Sequence, residues 1–282
     1  MNRKHKYFWP ALAIVVLLQV SVINVFAQAP ATGAPAVGGP GGQARPGGAG
    51  PSGPGGAGGF GGGGGRGSNL PPIPLAEDTT HTLTKHFIQA TAAKKAPDAR
   101  GFLQRWLVLE PVKKNLRNNS GITEEYLKTT FANENFSQDY NAVPKAGETV
   151  KIGTQTLKWY ALDSKSFNFN LHQFSYGTNN ALAGIMFWMV TVIDCPQEIK
   201  NVRLAAGVNS GGAFWLNGEK ILNVPGDKDI IVDNVASPLI TLKKGRNVLR
   251  AAVINGQGMC NFVARFLDEK GNPVTNYTLS TQ

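Results

Sequence analysis

Gly211-Gly-Ala-Phe-Trp-Leu-Asn-Gly-Glu-Lys-Ile221 decides the fold. Phe214, Leu216 and Ile221 suit a pleated, half-buried surface. Asn217-Gly218 between them is the strongest short-range signal for a two-residue hairpin. A type I′ turn needs positive φ at both central residues, which Asn and Gly tolerate. The stretch predicts antiparallel strands at 213–216 and 219–222 with Asn217-Gly218 at the tip.

Working outward, the same pattern recurs. Trp106, Leu107, Val108 and Leu109 form an apolar run ended by Pro111, within a strand expected over 102–110. Further strands are expected at 150–152 and 156–162. In the second, Leu157, Trp159 and Ala161 share one face, and Lys158 and Tyr160 the other. Phe167, Phe169 and Leu171 alternate strictly. Residues 183–195 are apolar almost throughout, as expected of a central strand covered on both faces, and they are too short and too rich in Val and Ile for a membrane span. Val202, Leu204, Ala206 and Val208 alternate next. Strands are then expected at 230–232, 239–242, 247–254 and 262–266, with a terminal edge strand at 274–279.

Two short helices are expected. One carries Leu83, Phe87 and Ala90 and stops by Pro97; the other spans 122–131 with Thr123 as its cap. About ten closely spaced strands with turn signals between them give the fold class: all-β, a jelly-roll β-sandwich with one or two short helices near its start.

Two segments precede that domain. Asn2-Arg3-Lys4-His5-Lys6 is a positive start, residues 7–25 are mostly apolar, and Val25-Phe26-Ala27 fits a cleavage site. Residues 1–27 read as a secretory signal peptide; retention as an uncleaved anchor is the alternative. No cysteine follows the apolar stretch, so no lipid anchor is expected. Residues 28–70 are dominated by Gly, Pro and Ala, without a glycine every third residue. This composition predicts a disordered Gly/Pro-rich arm rather than collagen. Residues 71–282 remain for the sandwich.

The formal net charge is +10. The basic residues are dispersed, with no run of five or six and no nucleic-acid-binding motif, so nucleic acid is not an expected partner. A dispersed basic surface is the plain interpretation. Contact with acidic polysaccharide or an anionic envelope is the sharper one.

Several of these stretches resemble galactose-binding-like jelly-roll domains. Trp106-Leu-Val-Leu-Glu-Pro111 looks like the opening W-x-V-x-G-P-F strand of that family. Thr156-Leu-Lys-Trp159, Trp215-Leu-Asn-Gly218, Leu242-Lys-Lys-Gly-Arg-Asn247 and Phe262 with Arg265 follow in the family's order. The resemblance covers about residues 102–275. Glu110, Val112 and the start Ile185-Met-Phe-Trp188 depart from the family pattern. Such domains accompany secreted bacterial glycoside hydrolases and carbohydrate esterases, and many are non-catalytic. The resemblance therefore implies a sugar-binding module; unlike the family's usual setting, no enzyme domain is expected within this chain.

Chemistry is sparse in the sequence. Gly207-Val-Asn-Ser-Gly211 lacks the spacing of a nucleophile elbow, and His81, His86 and His172 have no sequence context that marks a catalytic base. No catalytic residue is assigned. Asp227, Asp229 and Asp233 lie in a turn-rich stretch, where solvated carboxylates are the default and structural calcium is the alternative. Cys195 and Cys260 either pair as a disulfide or remain buried free thiols. Sugar binding needs aromatic faces and amide or carboxylate hydrogen bonds. The candidates are Tyr160, Tyr176, Trp215, Asn179, Asn180 and Asn209, with Tyr176 foremost as a loop residue; Trp106, Trp159 and Trp188 are expected in the core.

The expected function is a secreted, periplasmic or cell-surface, non-catalytic module. It would bind polysaccharide or oligosaccharide, beside a secreted enzyme or envelope protein. An envelope assembly protein, and a hydrolase with an unrecognised site, are the alternatives.

Overall fold

A computed structural model describes residues 81–132 and 139–282. The expected signal segment and Gly/Pro arm lie outside the described residues. The strands are β1 (Phe87–Gln89), β2 (Arg105–Leu109), β3 (Val112–Lys113), β4 (Thr149–Ile152), β5 (Gln155–Ser164), β6 (Phe169–Asn170), β7 (Ile185–Cys195) and β8 (Ile199–Val208). They continue as β9 (Gly211–Leu216), β10 (Glu219–Val224), β11 (Val235–Ala236), β12 (Ile240–Leu242), β13 (Gly245–Asn255), β14 (Asn261–Leu267) and β15 (Thr278–Ser280). Two α-helices interrupt them, α1 (Glu124–Ala132) and α2 (Leu171–Gly177).

The strands form two antiparallel sheets. The larger runs β1-β5-β2-β7-β13-β9-β10; β3 and β15 also pair with β7, and β4 with β5. The smaller runs β11-β8-β14-β6, with β12 on β8. Their facing sides share one core. Phe187, Leu249 and Phe214 from the large sheet meet Leu204, Phe262 and Phe266 from the small one. This is a β-sandwich, as the alternation implied.

β7 is the central strand. Ten of its residues are buried and Asp194 is half-buried. Phe187 and Met189 face the shared core, while Met186, Trp188 and Val190 face outward into a second apolar layer. That outer layer is covered by α1, through Leu127 and Phe131, and by Tyr140 and Val143. A continuous apolar strand is the sequence signature of such two-sided cover. Thr123 caps α1 as expected: its hydroxyl accepts from the Tyr126 N–H at 3.1 Å.

The hairpin is where the sequence placed it. β9 and β10 pair antiparallel from Leu216↔Glu219, and Asn217 and Gly218 take φ of 51° and 87°. The register then slips once, at Ile221.

Four local expectations fail, each for a tertiary reason. Residues 83–91 hold a single turn followed by edge strand β1, because β1 pairs with β5 from Phe87↔Ser164 to Gln89↔Leu162. Residue 171 leaves the strand and starts α2. Residues 230–232 form a loop laid over the small sheet. A Cβ on Gly207 would lie 2.0 Å from the Ile231 carbonyl oxygen, so only glycine permits that crossing. The terminal strand β15 is not an edge: β7 pairs it on one side, and Lys95 bridges Leu279 on the other.

Candidate functional site

The cavity that contains Tyr176 lies where the two sheets meet at one side. β1 is the outermost strand of the large sheet there, and β6 that of the small sheet. Phe87 of β1 closes the seam, 4.9 Å from the Phe169 ring of β6 and 6.4 Å from the Phe174 ring of α2.

α2 forms because its apolar spacing is helical. Leu171, Phe174 and Ser175 are its buried residues, at positions i, i+3 and i+4. Asn170 caps it, its side chain accepting from the Gln173 N–H at 2.9 Å. Helical geometry then sets His172, Gln173 and Tyr176 on one half-exposed face. That face is one wall of a cavity of about 310 Å³. The opposite wall is the turn before β1, with Thr82, Lys85 and His86; Leu182 adds an apolar edge.

The turn is fixed to the helix. Its Phe87 N–H donates to Leu83 O at 2.9 Å. His81 sits over Tyr176 with ring centroids 4.4 Å apart, and its Nδ1 lies 2.8 Å from the Tyr176 carbonyl oxygen. A Cβ on Gly177 would approach the Leu83 side chain to 2.7 Å, so helix end and turn are in close contact.

The cavity's chemistry is polar but weakly charged. Burial, with Lys85 and then Lys165 nearby, lowers the His86 pKa, which keeps that imidazole neutral at pH 7. His172 Nδ1 is buried and lacks a partner among the described residues. The lining offers one phenol ring, two imidazoles, an amide, a threonine hydroxyl and an ammonium. It holds no carboxylate, serine or cysteine, so no acid–base carboxylate pair and no Ser or Cys nucleophile is assembled in it.

Of the sequence candidates, only Tyr176 reaches this cavity, and it does so from a helix rather than a loop. Asn179 follows α2 at φ 56° and is exposed. Asn180 turns its amide inward, donating to Thr178 O and Oγ1 at 3.1 Å each. Asn209 lies between β8 and β9, and its N–H donates to Asn261 O. Tyr160 lines a neighbouring cavity of about 400 Å³. Its hydroxyl is 3.3 Å from Glu110 Oε1; burial and then Glu110 raise its pKa. Trp215 is only 5% exposed and stacks on Tyr140 at 4.8 Å beneath the outer layer, so it presents no open platform.

The calcium alternative does not assemble. Asp233 is taken by Arg265, whose Nε donates to its Oδ1 at 3.0 Å and whose Nη2 donates to Oδ2. Asp227 and Asp229 are exposed, and no group of three metal-ligating side chains occurs among the described residues. The disulfide alternative also gives way: Cys195 and Cys260 are both buried and free. Cys195 ends β7, opposite Gly245. Cys260 lies at the other end, where Asn255 pairs with Ile185 and donates to Gly258 O. The length of β7 separates the two ends, about 30 Å at strand rise, far beyond disulfide reach.

Thr82, Lys85, His86, His172 and Gln173 were not among the sequence candidates. The available signal was Asn170 as a cap ahead of Leu171 and Phe174, which would have placed His172, Gln173 and Tyr176 on one helix face.

Fold and cavity define a class: an antiparallel β-sandwich with a polar pocket closed by a short helix at one seam. No family model matches the chain, and no curated protein matches it.

Proposed function

We propose that this chain is a secreted, non-catalytic binding module for a polysaccharide or oligosaccharide, and that it takes the sugar in the α2 cavity. One observation carries this reading. Tyr176 shares a helix face with His172 and Gln173, opposite Thr82, Lys85 and His86, around a volume suited to a sugar unit. A tyrosine ring takes the apolar face of a pyranose, and imidazole nitrogens and an amide offer hydrogen bonds to hydroxyls. The signal-like segment 1–27 and the galactose-binding-like resemblance point the same way. The module belongs with proteins that degrade or hold polysaccharide at the cell exterior.

The assembly alternative draws on Ile231, Val232 and Leu239, which are exposed beside β8. Exposed apolar residues of that kind serve protein contacts.

Retention of the full chain on a panel of polysaccharides separates the two. Binding to one glycan, weakened about tenfold by Tyr176→Ala, a loss of about 1.4 kcal/mol, supports the module. No retention on any glycan, with self-association or capture of an envelope protein through 231–239, supports assembly instead.

A further inference from the structure

The segment around β1 borders three cavities in succession. Thr82, Lys85 and His86 line the α2 pocket. Leu83, Thr84, Phe87 and Gln89 line the cavity that also holds Tyr160. Ala90, Thr91 and Ala92 line a third, of about 560 Å³. The second and third share Ala146 and Ala161 as walls. Such a row along one edge strand matches a linear polymer better than a compact ligand.

The third cavity differs from the first in charge. Its apolar wall is Val143, Pro144 and Ala161, and its polar groups are Thr91, Thr281, Gln282, Lys145 and Arg246. Both cations are exposed, and neither makes an ion pair among the described residues. Two neighbouring carboxylates are already paired with other cations. Asp163 is held by Arg105 and Lys95, Asp194 by Lys94 and the Ser280 hydroxyl. Glu148 Oε2 accepts the Lys145 backbone N–H at 2.8 Å, which leaves one carboxylate beside Lys145. Two cations without an ion pair among the described residues therefore line one concave surface.

We propose that this cavity is a subsite for the carboxylate of an acidic sugar, so that the glycan is a uronate-bearing polysaccharide lying along β1. The proposal rests on the glycan reading above and adds the ligand's charge. Arg246 supplies a planar fork that matches a carboxylate, Lys145 a second positive charge, and Thr91 and Thr281 hydroxyls for the ring oxygens.

The test is titration of the full chain with polygalacturonate, alginate and glucuronan fragments, beside neutral galactan, mannan and glucan fragments. Arg246→Gln, Lys145→Gln and Tyr176→Ala variants are compared; the first two change exposed side chains, and thermal melting checks their folding. A uronate fragment is expected to bind most tightly, to weaken about tenfold in either charge variant, and to weaken as salt is added. Tyr176→Ala should weaken it too. If neutral fragments bind as well as uronates, and Arg246→Gln and Lys145→Gln alter neither, the acidic-ligand proposal is overturned while the glycan reading stands. If no fragment binds the unmodified chain, both fall.

Discussion

The imidazole of His81 lies over the ring of Tyr176, with centroids 4.4 Å apart, and fixes the turn before β1 to the last residues of α2. His81 is exposed, so its removal leaves the core intact. His81→Ala should change stability by less than about 0.5 kcal/mol, as surface substitutions do, yet weaken glycan binding several-fold by loosening one wall against the other. Calorimetric melting and titration on the same preparation check both halves. Unchanged binding would detach the turn from the site.

Asn217 does more than turn the chain. Its Nδ2 donates to Asn247 Oδ1 at 3.0 Å, and its Oδ1 accepts from the Val248 N–H at 2.9 Å. Asn217→Ala loses both bonds and puts a Cβ-bearing residue without local polar support at φ 51°. The expected loss is about 3 kcal/mol, from about 1 kcal/mol per bond and about 1–2 for the conformation. Asn217→Gly relieves the second part and should lose less. Urea denaturation of the pair decides; equal losses would place the whole effect in the side-chain bonds.

Two arginine–aspartate pairs should behave differently. Arg105 is 3% exposed and its Nε and Nη2 donate to Asp163 at 2.8 and 2.9 Å, with Ala93 O accepting from Nη1. Asp163→Ala strands a buried guanidinium and should cost about 3–5 kcal/mol. The Arg265–Asp233 pair is partly open to water, so Asp233→Ala should cost about 1 kcal/mol or less. Denaturant midpoints of the two variants rank them, and the reverse order would contradict the burial argument.

The thiols should be silent. Burial raises the pKa of both, Cys195 to about 11 with Asp194 adding to the effect, so neither is a thiolate at pH 8. A thiol reagent should label neither cysteine in the folded chain and both in denaturant without reductant. A labelling count of zero in denaturant would reveal a disulfide.

What the sequence made legible was whatever its local pattern determines alone. Asn217-Gly218 fixes its own dihedrals, and the two-sided apolar run of 185–195 has few alternatives to a central strand. The site was less legible. Phe167, Phe169 and Leu171 alternate for five residues, but Phe169 alone is buried in β6, while Leu171 already belongs to the helical set with Phe174 and Ser175. Ser175 conceals that set, because it is polar yet fully buried, its hydroxyl donating to Ala181 O. Trp215 faces away from Phe214 and Leu216, into the outer apolar layer. Its cover comes from Phe131 and Tyr140, too distant in sequence for any local pattern to announce. The partners of Tyr176 come from the turn at 81–86, whose apolar spacing imitates a helix until β5 claims the following residues as a strand.

The most direct measurement of the central claim follows the ring resonances of His86 and His172 by NMR while an oligosaccharide retained by the chain is added. Without ligand, His86 should titrate below the ordinary 6.5. Its folded state then binds the proton less tightly than the unfolded chain, so its contribution to stability is lost as pH falls from that value through the lowered one. With ligand at pH 7, both rings should shift along the same binding curve, and Tyr176→Ala should move that curve to about tenfold higher ligand concentration. Binding that leaves both histidines unmoved would contradict the account and place the sugar elsewhere on the sandwich.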